Sequence, residues 1–149
     1  MSIGPQVLQI IRYECNDLLA VRDLLVFEEV DGWGVGLALE NPGKASLRIS
    51  ADLRERHIEV SFMSTEFLNP ERTFPQWPHC DDPVHRFGLW EVVRSRGQDD
   101  KPFQGNVDPY DLGGLRAFVR RCVVWVLVEG LDILDGDLSV AASLQRPRR

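Results

Sequence analysis

The chain is poor in cysteine, in long apolar runs and in clustered positive charge. Its 149 residues hold three cysteines, Cys15, Cys80 and Cys122. That number is odd and no two lie close together, so the pattern argues against a disulfide framework and for a reducing compartment. The longest apolar run, Cys122–Val128, is far too short to span a bilayer. The opening MSIGPQVLQIIRYEC lacks the basic and apolar regions of a secretory signal, and the expectation is a cytoplasmic protein without a membrane partner. Net charge is −6, and no basic stripe appears, so a nucleic acid would meet net repulsion. Internal repeats and low-complexity segments are also missing.

What is present is ordinary globular material. Hydrophobic residues make up 44% and charged residues 27%, enough apolar side chain for one self-sufficient core without a metal or disulfide staple. The expected organisation is one domain over residues 1–145 with a frayed basic tail at 146–149.

The strongest local pattern runs from Asp108 to Gly130. Asp108 and Pro109 suit a helix start, Asp111 adds negative charge where a helix N-terminus favours it, and Gly130 suits a left-handed stop. Leu112, Leu115, Phe118, Val119, Cys122, Val123, Val126 and Leu127 recur at three- and four-residue spacing between them, which predicts a central core helix. The segment VVWVLV within it is also compatible with a buried strand.

Taken in order, the chain predicts a helix over about 5–22, breakable at Asn16-Asp17, with Val7, Leu8, Ile11, Cys15, Leu18 and Leu19 on its apolar face. Asp31-Gly32 then joins two apolar runs and predicts a tight primed hairpin between strands 24–30 and 33–40. Small residues at Gly34, Gly36 and Ala38 offer room for a helix to approach. Turn chemistry at 41–44 leads to alternating strands around Leu47–Leu53 and Ile58–Phe62, which complete a four-stranded antiparallel meander with one wet face. Residues 64–86 hold four prolines and read as a long irregular loop. A fifth strand at 87–94 and a short terminal helix or strand near 139–145 flank the central helix. The fold class is therefore α+β, an antiparallel sheet of four to five strands with helices on one face.

Reactive side chains are densest at His79, Cys80, Asp81, Asp82 and His85. His79, Cys80, Asp82 and His85 are a candidate zinc set, although a spacing of five across Pro83 aligns no pair on a regular element. Cys80 activated by His79, His85 or His57 is a candidate nucleophile, opposed by the flanking aspartates, which raise a thiol pKa. Asp132, Asp135 and Asp137 lack the spacing of a calcium loop. The glycines at 32, 34 and 36 run into a strand instead of opening a helix, which argues against a phosphate cradle. Arg48, Arg54 and Arg56 interleave with Asp52, Glu55 and Glu59, as solvent-facing strands do.

Phe67, Phe74, Trp77 and Phe87 among the prolines are candidate interface anchors. With Asp81, Asp82, Glu28 and Glu29 they point to a basic or mixed protein partner; the other reading has them cover a sheet edge. In layout, size and acidity the chain resembles small bacterial secretion-chaperone and toxin-immunity proteins, a likeness of architecture without a shared motif. The leading expectation is a non-catalytic partner-binding protein without a cofactor. The alternatives are a small enzyme or ligand-binding domain using His57 and the 79–85 groups, and a homodimer that buries surplus apolar surface of VVWVLV.

Overall fold

The computed structural model describes residues 3–64 and 86–144. Helix α1 (Gly4–Glu14) turns at Cys15 into α2 (Asn16–Val21), one residue ahead of the break expected at Asn16-Asp17. Four strands follow, β1 (Leu25–Val30), β2 (Gly34–Asn41), β3 (Ala45–Asp52) and β4 (His57–Ser64). A three-residue strand, β5 (Arg86–Gly88), runs directly into α3 (Leu89–Ser95). After a 3-10 turn at Lys101–Phe103 come α4 (Leu112–Trp125), a π turn (Val126–Gly130), α5 (Leu131–Leu134) and α6 (Val140–Leu144). The sheet is an antiparallel meander in the order β1-β2-β3-β4-β5.

Alternation puts Val35, Leu37 and Leu39 of β2, Leu47 and Ile49 of β3, and Ile58, Val60 and Phe62 of β4 on one face. They merge with Val7 and Ile11 of α1 and with Leu115, Phe118, Val119 and Cys122 of α4 into one buried cluster. The α+β architecture, with the C-terminal helix packed on the sheet, thus follows from the two periodicities in the sequence. At the helix–helix contact the Glu14 side chain is only 2% exposed. It accepts hydrogen bonds from Arg120 Nε at 2.7 Å and Arg116 at 3.1 Å, which offset the cost of burying its charge.

Several boundaries differ from expectation. Residues 89–95 are helix, not strand, because Gly88 and Glu91 cap the segment; the Glu91 side chain accepts the Gly88 N–H at 3.0 Å. Leu89, Val92 and Val93 then bury at helical spacing. The α4 cap is Asp111, whose side chain accepts the Gly114 N–H at 3.2 Å, while Asp108 closes a separate turn by accepting the Tyr110 N–H. VVWVLV is helical, and its chain does not stop at Gly130, whose φ is −118°. It crosses the π turn and ends near Gly136, where φ is +105°. Val124 and Val128 face solvent while Val123, Trp125 and Val126 are buried.

The hairpin at Asp31-Gly32 forms, but Gly32 has no positive φ. Asp31 Oδ1 instead accepts the N–H groups of Trp33 and Gly34 at 2.7 and 2.9 Å, so a side chain closes the turn in place of the primed backbone geometry. Gly34 makes room for a strand and not a helix: a Cβ there would sit 2.2 Å from the Ala51 carbonyl oxygen. The second sheet face is not wet throughout. Ala38, Glu40, Ser46, Arg48, Ser61 and Met63 on it are buried.

Candidate functional site

The register sets up a cleft on that second face, at the end of the sheet where the β1–β2 and β3–β4 turns lie. Glu29 pairs with Gly36, Gly36 with Ser50, and Ser50 with Glu59. One row across four strands therefore carries carboxylates on the outer strands and almost no side chain between them. Three strand spacings separate the outer backbones by about 14 Å. In the next row Gly34 pairs with Asp52 and Asp52 with His57. Two glycines and a serine thus form the floor of a cleft of about 240 Å³, with Arg48 at one end and Asp31 and Trp33 at the other.

Four carboxylates (Glu29, Asp31, Asp52, Glu59) face one guanidinium and one imidazole in this lining. The Asp52 carboxyl is held below the usual range, chiefly by the N–H of Glu55 and further by that of Arg54 and by His57 and Arg54 charge, against a smaller opposing effect of burial. Burial pushes the Arg48 guanidinium down to about 10, with Glu29 and Glu59 opposing and Arg86 adding to the fall; it remains charged at neutral pH. Arg86 of β5 bonds to Glu59. Charges of alternating sign consequently cross the sheet as Glu29, Arg48, Glu59 and Arg86.

Trp33 marks the mouth. It is 58% exposed, and the Arg54 guanidinium stacks 3.7 Å from its ring centroid. Its carbonyl accepts the Leu53 N–H at 2.9 Å, which pins the hairpin tip to the end of β3.

The lining offers a cation four carboxylates as acceptors. Among the described residues no hydrogen bond orients the His57 side chain. Cys15 and Cys122 are buried in the helix-packed core, and burial, more than neighbouring charge, raises both thiols, Cys15 to about 12.

The residues expected to carry function divide clearly. Phe67, Phe74, Trp77, His79, Cys80, Asp81, Asp82 and His85 lie outside the described residues. Phe87 is a core side chain, 1% exposed, with its ring 5.7 Å from that of Phe62, and so offers no partner-facing surface here. Of the two acidic β1 residues, Glu29 lines the cleft, whereas Glu28 turns to the helix side and pairs with Arg12. The aspartates of the 132–137 stretch have separate protein partners, Arg96 for Asp132, Arg22 for Asp135 and Ser139 for Asp137. Asp31, Asp52 and Glu59 line the cleft, whereas sequence reasoning assigned them to turns or to a solvated face, and Trp33, expected inside the strand 33–40, lies ahead of β2 at the cleft mouth. Counting the register outward from the two hairpin turns is the signal that would have aligned them. No family model, curated protein or solved structure matches the chain.

Proposed function

We propose that this chain is a non-catalytic partner-binding protein whose acidic sheet-face cleft receives a basic segment of another protein. One observation carries the reading: four carboxylates on separate strands and turns surround a small-residue floor, against one charged arginine, Arg48, and one imidazole, His57. A lysine or arginine side chain fits such a recess, and exposed Trp33 supplies an aromatic flank for its alkyl stem or its charge. Charge complementarity would speed encounter and choose the partner, and the partner would be held without chemical change.

The test is a chemical-shift titration with an end-blocked lysine peptide at low and high salt, repeated on an Asp52→Asn/Glu59→Gln variant. Expected are shifts centred on Glu29, Gly36, Ser50 and Glu59, weaker binding as salt rises, and a loss of about tenfold or more in the variant, the scale of one charge-assisted hydrogen bond. Shifts located elsewhere, or affinity indifferent to the two substitutions, would rule the cleft out.

A further inference from the structure

The two edges of the sheet are not alike. On the β5 side, the short strand covers Ser61–Met63 of β4. Beyond it the Gly105 carbonyl accepts the Ile58 N–H at 3.0 Å and closes that edge further along. A Cβ on Gly105 would lie 1.5 Å from the Ile58 oxygen, so this closure depends on glycine.

Among the described residues the β1 side pairs with no further strand. The bond from Asp31 N–H to the Gly34 carbonyl, 3.0 Å, fixes the phase of the β1–β2 ladder. Leu25, Phe27 and Glu29, opposite Glu40, Ala38 and Gly36, then turn their N–H and C=O groups to β2. Val26, Glu28 and Val30 turn theirs outward. Among the described residues these outward groups have no backbone partner. Leu25 and Val30, at the two ends of the strand, are 40% and 47% exposed. From Asp23 to Asp31 the chain carries Asp23, Glu28, Glu29 and Asp31 and no lysine or arginine.

We infer that β1 is a docking edge on which an extended segment of another protein, alternating basic and apolar residues, adds as a sixth strand. The inference rests on the partner-binding reading above and specifies the partner's conformation. Backbone bonds to Val26, Glu28 and Val30 supply affinity, and side chains at every second position supply specificity. A cationic residue opposite Glu29 sits about 5 Å from it across the strands and on the cleft side of the sheet. Apolar residues of the same segment face the opposite side, beside Val26, Val30 and the Glu28 side chain that Arg12 already engages. A second copy of this chain is a poor occupant, because it sets the same four acidic residues against each other.

The probe is an end-blocked ten-residue peptide alternating lysine and valine, with an alternating glutamate–valine peptide as control. Amide hydrogen exchange is read residue by residue on the full chain. Expected is slowing of about tenfold or more at Val26, Glu28 and Val30 with the lysine peptide and none with the control. Val30→Pro removes one outward donor but no ladder bond. It should weaken the lysine peptide by about tenfold, the worth of one such bond, with Tm nearly unchanged. If the variant fails to fold, the exchange pattern of the wild-type chain decides alone. Shifts in the cleft without protection of the outward amides would overturn the docking edge and leave the cleft reading standing. No shifts anywhere would overturn both, and equal protection by the glutamate peptide would overturn the charge argument.

Discussion

Buried titratable groups at single positions set the pH behaviour. Burial lifts the Cys15 thiol from its ordinary 9.0 to about 12, and Cys122 moves the same way. Both stay protonated in the folded chain at a pH where the unfolded chain ionises. Above the unfolded value the unfolded state binds fewer protons, so the thiols' contribution to stability is full below pH 9, falls as pH rises, and keeps falling until the folded thiols themselves ionise. The slope reaches about 1.4 kcal/mol per pH unit for each thiol. Denaturant melts at pH 8 and pH 10.5 under reducing conditions should show a steeper alkaline loss for wild type than for Cys15→Ala/Cys122→Ala. Equal slopes would mean that the thiols ionise in the folded state.

At the scale of elements, caps decide what hydrophobic periodicity leaves open. The start of α4 lies at Asp111, three residues after the first plausible cap, because Asp108 is already engaged in a turn of its own. Asp111→Ala should cost about 1 kcal/mol. Asp108→Ala should cost less, and urea midpoints compare the two. A larger loss at Asp108 would place the working cap where the sequence first suggests it. The same logic explains α3. Leu89, Val92 and Val93 suit either period over so short a run, and the Glu91 bond to the Gly88 N–H selects the helix. The strands of the meander were legible because β3 and β4 alternate over several residues between polar turns and the Asp31-Gly32 turn joins the apolar runs of β1 and β2. Their burial was not. Arg48 reads as a solvent-facing arginine and is 9% exposed, since alternation reports which face a residue takes and not what lies over that face.

For the whole molecule, one cluster joins α1, the sheet, α3 and the C-terminal helices. Phe118, 1% exposed within it, is a point where helix and sheet contributions meet. Phe118→Ala should lower stability by about 3–5 kcal/mol, a large share of the 5–15 kcal/mol typical of a domain. Urea unfolding followed by both circular dichroism and tryptophan fluorescence checks this. A loss under about 1 kcal/mol would show that the two layers are held together elsewhere.

The sequence by itself determined the first helix, the four-stranded antiparallel meander and the central helix, with the core face of each, but not the helix at 89–95. These are local properties, written in spacings of two and of three to four residues and in the turns between them. Tertiary structure alone decided the cleft and the β1 edge. Glu29, Gly36, Ser50 and Glu59 stand in one row only after three strand registers are set, and each register depends on where its hairpin turn closes. Whether Val26, Glu28 and Val30 point their backbone outward likewise depends on the phase that the Asp31–Gly34 bond imposes on the β1–β2 ladder.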